Sequence, residues 1–140
     1  MRNDMKYIDL GLPSGTLWAD ANEDDFYTFD EGVTKYGDSL PTSKQWKELK
    51  SHCKWEWIGN GYRVTGPNDN SIVLPAAGLR YCNGDVCYVG SGGEYWSSTS
   101  VGLGDAWGLS FNSSRVGLDD DCRCDGKSVR LVKNLKGGEE

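Results

Sequence analysis

Nineteen glycines stand against four prolines in this 140-residue chain, about twice the usual glycine share of roughly 7%. Glycine reaches positive φ without steric cost, so the balance points to many tight turns between short elements and away from a stiff or flexible linker. Such a fold cannot draw its core from long aliphatic elements. Six Trp and seven Tyr supply it instead, each ring able to bury about 150–250 Å². The length fits one domain of the usual size, about 100–150 residues, so the expectation is a single domain over 1–140.

Charge narrows the function classes. The net charge is −6 and the pI about 4.8, so a phosphate backbone would be repelled and no nucleic-acid partner is expected. No stretch approaches the roughly 20 apolar residues of a membrane span, which argues against direct membrane insertion. The N-terminus, MRNDMKYIDLGL, lacks the apolar run of about 7–15 residues of a secretory signal peptide. Five cysteines are an odd number, so a complete internal disulfide framework is excluded.

Residues 6–20 read as a short strand at Tyr7, Ile8 and Leu10, a Leu-Pro-Ser-Gly turn, and an anchor at Leu17 and Trp18. The acidic stretch 20–40 reads as irregular, pinned to the core by Phe26, Tyr27 and Phe29. The spacing predicts a helix over 41–53: Thr42 and Gln45 form a capping box, and Trp46, Leu49 and Cys53 fall on one stripe. His52, the only histidine, reads as a helix-end or surface group. A hairpin follows at 62–65 and 71–75, joined by GPNDN, with further strands at 95–99, 106–111 and 128–132. In AWGLSF, Trp107, Leu109 and Phe111 alternate with Ala106, Gly108 and Ser110, the period of a half-buried strand. One or two early helices and several late strands give an α+β domain, not a βαβ array.

The composition then breaks. Lys, Glu, Gln, Met and Trp number 17 in the first 77 residues but three between 78 and 126. Their replacements are Asp, Gly, Ser, Asn, Tyr, Cys, Val, Leu and Arg, all encoded by codons that differ from the Asn codons only at the two adenines. Lys, Glu, Gln, Met and Trp cannot be reached that way. Four cysteines, Cys82, Cys87, Cys122 and Cys124, fall in this stretch. Their C-x4-C and C-x-C spacings are not the C-x2-C pairs of structural zinc. Disulfides between loops are one reading, and incidental occupancy of exposed loop positions is the preferred one.

Together, LGLPSGTLWA, LPTSKQWKEL, GYRVTGPNDNSIVLPAAG, GEYWSSTS and GKSVRLV resemble the C-type-lectin-fold variable proteins of diversity-generating retroelements, in the gut Bacteroidetes and phage branch. The resemblance spans about 6–133. It implies a C-type lectin-like fold, with one or two helices packed on short, mostly antiparallel strands with long loops. It also implies a ligand-binding display protein whose hypervariable surface is diversified by adenine-specific mutagenic retrohoming. Tyr95, Trp96, Ser97, Ser98, Leu109, Phe111, Ser128, Val129 and Arg130 would hold the scaffold. The variable ligand-binding region would lie at about 78–126. Its candidate positions are Tyr81, Cys82, Asn83, Asp85, Cys87, Tyr88, Trp107, Gly108, Ser110, Arg115, Gly117, Asp119, Asp120, Asp121, Cys122, Cys124 and Asp125.

The implied partner is a protein or cell-surface ligand, met on a virion or bacterial cell surface, with oligomer formation left open. Tyr81, Tyr88 and Trp107 would give contact area at low entropy cost. The four aspartates at 119, 120, 121 and 125 would favour a basic patch on the partner. No catalytic residue, cofactor or metal is expected. Three rivals remain. The first is a non-diversified adhesin or structural domain of the same fold. The second is a calcium-dependent sugar-binding lectin, whose Glu-Pro-Asn and Trp-Asn-Asp signatures are absent. The third is an enzyme like the formylglycine-generating oxidases, which share the general fold and use paired cysteines. Here no base stands near the loop cysteines.

Overall fold

The computed structural model describes residues 6–134; the ends of the expected 1–140 domain lie outside the described residues. Two short strands open the chain, β1 (Tyr7–Asp9) and β2 (Thr16–Ala19), followed by helices α1 (Phe29–Tyr36) and α2 (Ser43–His52). Three strands come next, β3 (Lys54–Trp57), β4 (Gly61–Thr65) and β5 (Ser71–Pro75), then the small hairpin β6 (Leu79–Arg80) and β7 (Val86–Cys87). Three long strands, β8 (Gly92–Val101), β9 (Asp105–Asn112) and β10 (Arg115–Cys122), precede the last, β11 (Val132–Asn134). The named strands pair antiparallel, in the orders β1-β2-β11, β3-β4-β5, β6-β7 and β10-β9-β8. Among the described residues the fold is therefore mixed α/β, with two α-helices and several small antiparallel sheets. Among the described residues no helix is long and apolar enough to cross a membrane.

Both helices start at a reciprocal capping box. Thr42 accepts from Gln45 N while the Gln45 side chain returns to Thr42 N, as the spacing predicts. Thr28 and Glu31 do the same for α1, inside a stretch expected to be irregular. That expectation is corrected: the T-x-x-E signature outweighs the run of acidic residues around it, and Asp30 and Glu31 in the first turn suit the positive end of the helix dipole. A second correction concerns the segment 115–122, within the variable region of about 78–126, where no strand was expected. It is a strand because Val116 and Leu118 pack on the core at period two, which overrides the poor β-propensity of its three aspartates. Residues 128–131 run extended beside β8 through a single bridge, Tyr95 to Ser128, and regular pairing starts only at Val132.

Two aromatic clusters hold these pieces. In the first, Trp18, Trp46, Tyr95, Tyr62 and Phe111 pack ring against ring, mostly tilted or edge-on, at centroid distances of 4.7 to 6.1 Å. Leu49, Leu74 and Leu109 fill the space between them, each contributing about 1.5–3 kcal/mol by leaving water. Cys53, expected on the buried stripe of α2, ends the helix half-buried against this cluster, and burial pushes its thiol up to about 11. In the second cluster Trp96 meets Phe29 edge-on at 5.6 Å, beside Leu40, Ala106, Val129 and Leu131.

Most of the polar ring atoms in these clusters are bonded, whereas the buried Trp18 Nε1 has no partner among the described residues. Trp96 Nε1 donates to Tyr27 O at 2.7 Å, Trp46 Nε1 to Trp96 O at 3.2 Å, and the Tyr62 hydroxyl to Asn112 O at 2.7 Å. Each bond fixes a ring to the backbone of another element. Of the residues expected to form the scaffold, all are buried except Ser98, which is half-buried.

Candidate recognition face

The sheet β10-β9-β8 has one face toward the core. Tyr95, Leu109, Phe111, Val116 and Leu118 point there, into the cluster that holds Trp46 and Leu49 of α2. Register sends the alternate residues to the other face: Glu94 pairs with Ser110 and Ser110 with Gly117, while Gly108 pairs with Asp119. Onto this outer face comes Lys127, fully buried although charged. Its Nζ contacts Glu94 Oε1 at 3.1 Å and Asp121 Oδ2 at 2.5 Å, and lies 4.3 Å from the centre of the Trp96 ring. Ser110 Oγ donates to Glu94 Oε2 at 2.6 Å. Burial raises the Glu94 carboxyl, while Lys127 and Ser110 pull it back. A cation thus sits at the centre of the face. Nothing in local composition marks it, because its partners come from separate strands.

The hairpin β6–β7 rises beside this sheet. Arg80 N donates to Gly126 O at 2.8 Å and Gly126 N to Arg80 O at 2.6 Å, which pins the hairpin to the segment leading to Lys127. Tyr81 and Tyr88 then border a depression of about 630 Å³ whose other walls include Glu94, Ser110, Asn112 and Arg115. A hydrogen bond with Tyr88 is the main cause that lifts the Tyr81 phenol, to about 12. Tyr88 is 58% exposed and holds φ at 66°, a left-handed conformation that costs a bulky residue about 1–3 kcal/mol. Val86 in β7 and Val89 just after the hairpin are also exposed. They were not among the candidate positions, although valine belongs to the codon set that marks the compositional break.

Most of the expected variable positions gather here. Tyr81, Tyr88, Ser110 and Arg115 surround the depression; Gly117, Asp119 and Asp121 share its side of the sheet. Asn83 and Asp85 form the exposed turn of the hairpin, where Asn83 Oδ1 accepts from Asp85 N at 2.9 Å. Cys87 is half-buried opposite Leu79.

Four positions depart from the expectation. Trp107 and Asp120 pair with one another and share the parity of Leu109 and Leu118, opposite to Ser110 and Gly117, with Trp107 half-buried and Asp120 exposed near the end of the sheet. Trp107 is also outside the adenine-derived codon set. Gly108 is buried; a Cβ there would stand 2.5 Å from Tyr95 O and 3.3 Å from Lys127 Nζ, so it is a packing glycine. Asp125 is buried and accepts from Cys82 N at 3.2 Å. The face is accordingly less acidic than four aspartates suggest, since Asp121 is paired with Lys127 and Asp125 is buried.

The preferred reading of the cysteines as incidental is corrected as well. Cys82 and Cys124 form a disulfide across a sequence separation of 42, worth about 4 kcal/mol on the chain-entropy model. Cys53, Cys87 and Cys122 are free. The GPNDN segment, 66–70, serves as a turn: Asn68 and Asn70 both donate their amides to Asp9 O, at 2.8 and 2.9 Å. The aspartates at 119–121 alternate across β10 and do not converge. His52 is exposed at the end of α2.

No protein-family model, no curated protein and no solved structure matches the chain.

Proposed function

We propose that this chain is a display protein of C-type lectin-like fold, of the kind diversified by retroelements. Its outer face and β6–β7 hairpin recognise a protein or cell-surface ligand, on a virion or bacterial surface. One observation carries the reading. The stretch depleted of Lys, Glu, Gln and Met, residues 78–126, is the stretch that supplies the exposed tips around Tyr81 and Tyr88, while many of its inward residues are large and buried. Composition and geometry are independent of each other and select the same surface.

The physical logic is that of a paratope. Tyr81 and Tyr88 offer rigid contact area, and Ser110, Asn83 and Gly117 offer adaptable polar contact or room. The aromatic clusters beneath keep the backbone in place whichever tips are present. Two helices packed on short antiparallel strands agree with the implied fold.

Sequencing the locus from independent isolates, with its flanking DNA, tests the proposal. Substitutions are expected at Tyr81, Asn83, Asp85, Tyr88, Arg115, Gly117 and Asp119, all reachable from Asn codons by adenine changes, with a near-duplicate of the 3′ end nearby. Substitutions scattered over Trp46, Trp96 and Leu109 as often as over those tips, with no duplicate, would instead identify an undiversified adhesin or structural domain.

A further inference from the structure

Three of the five sulfurs converge at one corner of the outer face. Cys82 comes from the turn of the β6–β7 hairpin, Cys122 ends β10 and Cys124 follows it, and all three ligand atoms lie within 4.8 Å of one another. Cys122 Sγ stands 2.8 Å from Cys124 Sγ and 3.7 Å from Cys82 Sγ. Asp125 Oδ1 lies 3.2 Å from Cys82 Sγ on the buried side. A disulfide uses only two of these sulfurs and leaves Cys122 in contact with both.

Tetrahedral zinc with thiolate bonds of about 2.3 Å spaces its sulfurs about 3.8 Å apart. The Cys82 to Cys122 distance, 3.7 Å, is already of that size, and breaking the Cys82–Cys124 bond frees Cys124 to move outward. Thiolates select soft or borderline cations over calcium or magnesium. The three cysteines are exposed, so an ion and a completing water can enter.

We propose that the reduced chain binds one zinc-type divalent cation through Cys82, Cys122 and Cys124, with a solvent water completing the tetrahedron. Reduction comes first: a trialkylphosphine takes oxygen from water and becomes its oxide, and the two hydrogens end on Cys82 and Cys124. The cation then replaces the three thiol protons. The ion ties the β6–β7 hairpin to the end of β10, as the disulfide does, but under reducing conditions. This site depends on the sulfurs alone and stands whether or not the face is diversified.

Cobalt(II) titration of the phosphine-reduced full chain tests it, read by the thiolate-to-cobalt charge-transfer band. One equivalent should saturate the band at three-thiolate intensity, and zinc should abolish it. Cys122→Ser should cut the intensity by about a third and weaken binding on the order of tenfold or more, while its oxidised form keeps the Cys82–Cys124 bridge and so reports that the variant folds. Cys53→Ser and Cys87→Ser should leave the band unchanged. Absence of the band in the reduced chain, its persistence at full strength in Cys122→Ser, or its loss in Cys53→Ser or Cys87→Ser would overturn the proposal.

Discussion

Lys127→Met is expected to lower stability by about 3 kcal/mol, the lower end of the range for removing one partner of a buried ion pair. Methionine keeps the apolar stem and roughly the volume, so the loss reports charge more than packing. Without the ammonium, Glu94 and Asp121 face each other as like charges, and Trp96 loses the cation above its ring. Asp121 is 37% exposed at its side chain, so solvent absorbs part of its share and the upper end of the range is not reached. Urea unfolding at neutral pH measures it. The triple variant Lys127→Met, Glu94→Gln, Asp121→Asn should recover most of the loss, because no unpaired charge remains. A single-variant loss under about 1 kcal/mol would mean that the cation is solvated and the centre of the face is soft.

Arg130→Met should cost more, about 3–5 kcal/mol, and lower Tm by about 10 °C. The guanidinium is 1% exposed and joins three elements: Nε donates to Asn22 Oδ1 at 2.9 Å, Nη1 to Ala19 O at 3.0 Å and Nη2 to Val73 O at 2.5 Å. Burial lowers its pKa, a sign of how far it has left water. Beside it the Tyr95 hydroxyl donates to Pro75 O and accepts from Asn22, and burial pushes that phenol up to about 12. Arg130→Lys should rescue little, since one ammonium cannot span acceptors set for a planar fork. Calorimetric scans of both variants check this; a lysine variant within about 2 °C of the parent would show that charge alone suffices.

These two cations also mark the limit of what the chain discloses in one dimension. Helix α2 was legible because its cap and its apolar stripe lie within 12 residues of each other. Helix α1 has the same kind of cap, Thr28 to Glu31, yet its short length and acidic setting hid it. In β9 the alternation of Leu109 and Phe111 was plain, and the same alternation excludes Trp107 from the outer face. The depression was half legible. Tyr81, Tyr88 and Arg115 stand out by codon class, but Lys127, Glu94 and Asp121 meet only after three strands and a crossing segment assemble. Cysteine spacing could not give the Cys82–Cys124 link, because the contact depends on how the β6–β7 hairpin leans on the end of β10.

The proposed display function requires tolerance of this face: the tips should bear little of the fold's stability and the frame nearly all of it. Protease survival of two libraries measures this directly. One randomises Tyr81, Asn83, Asp85, Tyr88, Arg115 and Asp119; the other randomises six frame positions, Trp46, Tyr95, Trp96, Leu109, Phe111 and Arg130. A majority of tip variants should survive at protease levels that destroy nearly all frame variants. Equal survival of the two libraries, or collapse of the tip library, would contradict the account.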